Sequence, residues 1–298
     1  MAQQTCRGCG SDIAPADRFC EVCGLRQPTE DDRLERDLGS AAGVTDRGSR
    51  HERNEDAFTL RIVDGRAIVA VVCDGVSTSD RPDQAARLAS TTAADTLVEA
   101  LTAGIDAATA AGNAVEAAGK AVIGLADPGA DVDSAPACTY VSAVVTEGAV
   151  VVGWLGDSRA GWLAADATST STWWTTDDSW ALEMVASGQL GYTEAETDPR
   201  AHALTGWLGA DAEEQESTAR VVTVRPSGPG AVLLCSDGLW NYESAPDALA
   251  DMVMTDAVEA PLLGAKTLVQ YALSRGGQDN ITAVLIPFPP FSPRRSTP

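Results

Sequence analysis

Histidine is nearly missing from this chain: His51 and His202 are the only two in 298 residues. Neither stands at metal-ligand spacing from an acid, so a metal site here must draw on other donors. Basic residues are also scarce, with 21 Lys and Arg against 43 Asp and Glu and a formal net charge of -22. A nucleic-acid binder carries a basic footprint, and anionic membrane surfaces attract polybasic segments; neither fits. No apolar run reaches the length of a membrane span. The first residues lack the basic-then-apolar layout of a secretory signal, and the expectation is a cytoplasmic protein. Most of the acids are read as ordinary solvated surface.

Three acids stand out from that background. Ile68-Val69-Ala70-Val71-Val72-Cys73 runs straight into Asp74-Gly75, and Ala231-Val232-Leu233-Leu234-Cys235-Ser236 into Asp237-Gly238. Val150-Val151-Val152-Gly153-Trp154-Leu155-Gly156 ends in Asp157. A short apolar run bounded by turn residues reads as a buried strand. Each acid therefore sits where a buried strand meets a loop, a costly place for an unpaired carboxylate. If the three ends converge, a divalent cation is the natural partner.

Cysteine is concentrated at one end. Cys6-x-x-Cys9 and Cys20-x-x-Cys23, each followed by Gly, form two short turns whose thiolates can face one ion. Four thiolates point to tetrahedral, structural Zn2+. The spacing resembles the short zinc ribbons at the ends of many bacterial regulatory proteins; two disulfides or a redox pair are the alternatives. Residues 1–25 are thus read as a ribbon and an interaction module. Residues 26–39 are charged, carry Pro28 and read as a linker. A large domain covers 40–287, and the proline-rich stretch 288–298 reads as a disordered tail.

Within the large domain, strands are expected at Ala57–Ile62 and Ile68–Cys73, turning at Asp64-Gly65. Two helices follow, the first opening at Pro82 and the second Ala-rich. Further strands are expected at 139–145, 149–155 and 159–163, a short helix at 178–188, and an irregular excursion at 192–212. Strands at 220–224 and 231–235, helices at 246–255 and 261–274, and a closing strand at 281–287 complete the order. Antiparallel groups of strands alternating with pairs of helices point to an α+β fold, antiparallel sheets with helices packed outside.

Asp279-Asn280 adds an acid just before the closing strand, and Asn54-Glu55-Asp56 adds two more before the first. An all-oxygen donor set of this kind selects Mg2+ or Mn2+ over zinc. The ordered series Asn54-Glu55-Asp56, Asp74-Gly75, Gly156-Asp157-Ser158-Arg159, Thr176-Asp177-Asp178-Ser179, Ser236-Asp237-Gly238-Leu239 and Asp279-Asn280-Ile281-Thr282 resembles the metal-dependent Ser/Thr protein phosphatases of the type 2C family, over roughly Gly43 to Ile286. Each motif alone is weak; six in order are specific.

The resemblance implies a central sandwich of two antiparallel sheets flanked by helix pairs, with two Mn2+ or Mg2+ ions bridged by water at one end. It implies that Asp74 bridges both ions, that the Gly75 carbonyl reaches one, and that Asp237 and Asp279 hold the other. Asp56 and Glu55 would hold ligand waters, and Asp157 would join Asp237 at a third, weaker ion. The implied reaction is hydrolysis of phosphoserine and phosphothreonine in proteins, opposite a Ser/Thr kinase, by a hydroxide the ions make available near neutral pH.

Three positions depart from the family pattern. An Arg that clamps the substrate phosphate is usual where His51 stands, and a guanidinium fork is not equivalent to an imidazole. Either Arg50 or Arg53, which flank it, substitutes, or phosphate binding is weaker. Asp74-Gly75 continues Val76-Ser77-Thr78-Ser79, without the His or Met and paired glycines of many members. Asp177-Asp178-Ser179 replaces an Asp-His-Ser, a change expected to affect a loop and not the chemistry. Cys73 and Cys235 read as small buried apolar residues, and His202 and Arg200 as surface residues of a flap. The competing class is a sensing or scaffolding domain of the same fold with the ribbon as its interaction module. The retained acids favour the enzyme.

Overall fold

The computed structural model describes the chain except residues 1–3, 7–8, 15–16, 25–31, 128, 130–133, 167–168, 211–218 and 292–298. Of the expected disordered tail 288–298, residues 292–298 lie outside the described residues. Two antiparallel sheets form the frame. One carries six strands in the order Thr172–Trp173, Arg159–Ala164, Gly230–Cys235, Ile281–Phe288, Ala42–Asp46 and Arg33–Asp37. The other carries five: Arg220–Val224, Val150–Leu155, Tyr140–Thr146, Ala67–Asp74 and Asp56–Val63.

Alternation along the strands explains the layers. Ile68, Ala70 and Val72 join Val141, Ala143, Val150, Val152, Val232, Leu234, Val284 and Ile286 in one buried cluster drawn from both sheets. The other residues of the same strands, Val69, Val71 and Cys73, face the helices Pro82–Thr102 and Ala107–Ile123. Leu233, Cys235, Ala283 and Leu285 turn outward in the same way toward the helices Pro246–Glu259 and Pro261–Ser274. Both faces of each central strand are buried, so the sequence reads as a continuous apolar run there. The Ala-rich helix pair packs closely through Ala86, Ala89, Ala93, Ala110, Ala114 and Ala118. No helix among the described residues is long and apolar enough to cross a membrane.

The linker reading needs correction. Residues 33–37 are an edge strand of the six-stranded sheet, in register with Ala42–Asp46. Arg33 bonds across the pair to Asp46 at 2.8 Å. A charged, largely exposed run looks like a linker, yet exposed charge is also what protects a sheet edge from further pairing. The strand Ala42–Asp46, fully buried between this edge and Ile281–Phe288, was not expected either. Its small residues, with Gly43 tight against Phe58 and Val284, give little hydrophobic signal. The closing strand runs one residue past the expected boundary at 287, where Phe288 meets Trp162 edge-on at 5.8 Å. Asp64-Gly65 is the expected tight turn, with φ of 50° and 65°. The excursion is partly ordered: Tyr192–Glu196 is helical, and Ala195 packs with Ala181 and Ala201.

Candidate metal centres

The strand ends do converge. Asp56 opens one strand, Asp74 closes its neighbour, and the two are direct partners across the antiparallel pair. Asp237 follows the strand Gly230–Cys235, and Asp279 precedes Ile281–Phe288, the strand beside it. Asp157 follows Val150–Leu155 at Gly156, whose φ of 101° turns the chain sharply. A side chain on Gly238 would collide with the carbonyl of Asn280, and one on Gly75 would collide with Pro82. Both glycines after the acids are thus demanded by close packing.

Hydroxyls hold one edge of the site. Asp56 Oδ2 accepts from Ser236 Oγ and from Thr282 Oγ1, each at 2.7 Å. Thr282 N donates to Ser236 Oγ at 3.0 Å within the six-stranded sheet, and the bonds of both hydroxyls to Asp56 tie that sheet to the five-stranded one. Asn241 Nδ2 donates to Asp237 Oδ2 at 3.0 Å. The second oxygens, Asp56 Oδ1 and Asp237 Oδ1, are buried without a hydrogen-bond partner.

Burial, above all, pushes the Asp56 carboxyl up to about 7, reinforced by the charges of Asp237 and Asp279. Burial and the Asp279 charge push Asp237 up to about 6. Asp74 and Asp157 are raised well above the ordinary range by burial and then by neighbouring acids. Several carboxylates forced together out of water, two with an idle oxygen, are what a hard divalent cation with oxygen ligands requires. The residues therefore fit bound Mn2+ or Mg2+.

Glu55 is set by two contacts. Its amide donates to Asn280 Oδ1 at 2.8 Å, and Ser77 Oγ donates to its Oε2 at 2.7 Å. Asn280 Nδ2 reaches the carbonyls of Arg47 and Arg53 at 2.8 and 3.1 Å, closing the loop that carries His51. Ser77, Ser236, Asn280 and Thr282 were not singled out as site residues. Ser236, Asn280 and Thr282 lie inside the quoted motifs, and their polar side chains at buried strand ends were the available signal. Ser77 lies just past Asp74-Gly75, outside those motifs.

His51 is engaged by the acids: Nε2 lies 3.0 Å from Asp279 Oδ1, and Nδ1 3.7 Å from Glu55 Oε2. Arg53 lies 3.2 Å from Asp83 and 3.9 Å from Glu55 Oε1. Among the described residues Arg50 reaches only Gln278 Oε1, at 3.4 Å. Arg50, His51 and Asp279 line a cleft of about 330 Å³ with Gly238, Asn241, Tyr242 and Gln278.

The Asp177-Asp178 pair has a structural use. Arg159 grips both oxygens of Asp177 at 2.9 and 2.7 Å and lies 3.8 Å over the Trp240 ring. Asp178 Oδ2 accepts from Gly156 N at 2.9 Å, fixing the turn before Asp157. Cys73 and Cys235 are fully buried, and burial pushes both thiols up, away from nucleophilic use. Arg200 pairs with Asp198 at 2.9 Å and lies over Trp180; His202 is exposed, 6.0 Å from the Trp240 ring.

The second centre is at the N-terminal end. The Sγ atoms of Cys6, Cys9, Cys20 and Cys23 all lie within 4.8 Å of one another. Cys6–Cys23 and Cys9–Cys20 are 3.6 Å apart. That is far beyond a disulfide and close to the edge of about 3.8 Å in a tetrahedron with metal–sulfur bonds of about 2.3 Å. Hydrogen bonds from Ser11 hold the Cys9 thiol below its ordinary range, toward the thiolate. The described residues fit a four-thiolate metal site.

Comparison with known proteins agrees with this geometry. Residues 45–268 match the family model described as Protein phosphatase 2C. The serine/threonine phosphatase stp of Listeria innocua is 28% identical over 244 residues, covering 81% of this chain and 93% of that protein. The structure of the phosphatase Stp1 from Staphylococcus aureus superposes with a TM-score of 0.68 at 24% identity, over 84% of this chain and 95% of that one. The catalytic domain of the phosphatase PstP, solved in complex with two manganese ions, superposes with a TM-score of 0.58 at 21% identity, over 86% and 99%. The acids of the centre lie within or just beyond the matched segment, and the chain belongs to the metal-dependent protein phosphatase 2C family.

Proposed function

We propose that this chain hydrolyses phosphoserine and phosphothreonine in proteins with the help of Mn2+ or Mg2+, opposing a Ser/Thr kinase in the cytoplasm. The observation that carries this reading is the convergence of Asp56, Asp74, Asp237 and Asp279, with two buried oxygens left for a cation. Bound divalent ions supply charge neutralisation for the phosphoryl group and a water acidified to near-neutral pKa.

The chain's own residues do the rest. Asp74, Asp237, Asp279 and the Gly75 carbonyl would hold two ions. Asp56 and Glu55 would orient ligand waters, and Asp157 with Asp237 would serve a third ion. Ser236 and Thr282 fix the orientation of Asp56, so its second oxygen stays aimed. Of Arg50 and Arg53, only Arg53 approaches a site carboxylate, at 3.9 Å from Glu55. Arg53 is therefore assigned to the substrate phosphate in place of the missing Arg, with His51 positioning Asp279. The flap around His202 and Arg200 borders the site.

At the other centre, Cys6, Cys9, Cys20 and Cys23 would hold structural Zn2+, and the ribbon would serve as a docking module for a protein partner. A scaffolding role without turnover has less support, because a domain freed from catalysis has no reason to keep buried carboxylates that cost stability without metal. The test is release of phosphate from a phosphothreonine peptide with Mn2+ and with EDTA. Turnover only with Mn2+ supports the reading; none, with metal bound, removes it.

A further inference from the structure

We propose that the cleft beside the metal centre is a recognition subsite for an acidic residue flanking the phosphoresidue, with Arg50 as its anchor. The inference rests on the phosphatase reading and adds a substrate class to it.

The cleft is built and not incidental. Three segments meet there and are tied together. Ser49 N donates to Gly277 O at 2.7 Å, and Ser49 Oγ reaches Gly276 O at 2.8 Å. Gln278 N donates to Tyr242 Oη at 2.8 Å, which joins the segment after Asp237 to the same loop. Gly48 is packed against the carbonyl of Asp279 so closely that a side chain would not fit. The lining is therefore held in place before any substrate arrives.

Its charge pattern points to an anion. Arg47 is held by Asp32 at 3.0 Å and His51 lies 3.0 Å from Asp279, while Arg53, beside Asp83, is the residue assigned to the phosphate. Among the described residues Arg50 has no carboxylate within ion-pair distance. Its one partner is a neutral amide at 3.4 Å, a long contact that a carboxylate would displace. Arg50 stands exposed at the mouth of a site rimmed by acids, in a chain of net charge -22. The volume of about 330 Å³ exceeds what a phosphate needs and accommodates a whole Asp or Glu side chain. Asn241 and Tyr242 also line the cleft.

The test uses the full chain with Mn2+ and phosphothreonine peptides carrying Asp, Ala or Lys at successive flanking positions. The native protein is expected to prefer Asp over Lys by about tenfold in kcat/KM at one of those positions. Arg50→Glu is expected to invert that preference, and Arg50→Gln to abolish it. A preference that is absent in the native protein, or that survives both substitutions, overturns the subsite. So does an equal loss on every peptide and on p-nitrophenyl phosphate, which would make Arg50 a contact to the phosphate itself. Absence of turnover on all substrates would instead count against the phosphatase reading, so the two failures are distinct.

Discussion

Asp56 and Asp74 are direct cross-strand partners at the end of a largely apolar antiparallel pair. Like charges in that relationship destabilise a sheet, and burial raises both carboxyls. A bound cation would relieve that repulsion.

The first consequence concerns pH. Asp56 and Asp237, at about 7 and about 6 in the fold, hold protons that the unfolded chain releases near pH 4. Their raised values favour the folded state below pH 4, and that advantage is lost as pH rises toward 7. Urea unfolding of EDTA-treated protein should show a midpoint that falls between pH 5 and 7, apart from other titrations. Mn2+ should restore it most at the upper end. A midpoint that rises through this range without metal would contradict the placement of these acids.

Neutralising one of the pair separates stability from metal binding. Asp74→Asn removes the repulsion with Asp56, so the metal-free melting temperature should hold or rise. The increase on adding Mn2+ should shrink, and turnover should drop by at least about a hundredfold, since the metal's charge stabilisation is worth several kcal/mol. Calorimetry with and without Mn2+ reads both effects.

Gly238→Ala tests the packing behind Asp237. The new methyl meets the Asn280 carbonyl, which belongs to rigid backbone. A loss of about 1–3 kcal/mol is expected in denaturant unfolding, with weaker Mn2+ binding from displacement of Asp237 and Asp279. A neutral substitution would mean the loop yields.

Cys20→Ser should abolish stoichiometric zinc in the purified chain, measured by elemental analysis. The unfolding transition of the large domain should be unaffected, because the four thiolates lie within residues 6–23. Retention of one zinc per chain would rule out the four-thiolate site.

Much of this was readable from the sequence because the site lies at strand ends, where an apolar run stops at an acid. Asp74, Asp157 and Asp237 carry that mark directly. The edge strand Arg33–Asp37 did not, since its charges serve a sheet margin and imitate a linker. Ala42–Asp46 was hidden by small residues whose burial comes from neighbours far away in sequence. The engagement of His51 by Asp279 and Glu55 needed geometry, because spacing alone cannot tell which of three nearby basic residues an acid holds. The hydroxyls of Ser236 and Thr282 were equally hidden: only the stacking of two strands brings both to Asp56.

The most direct test of the central claim is the rate of phosphate release from a phosphothreonine peptide by the native chain and by Asp237→Asn, each with Mn2+ and with EDTA. The account predicts turnover by the native chain only with Mn2+, and none above background in the other three arms. Equal turnover by Asp237→Asn, or turnover in EDTA, would contradict it.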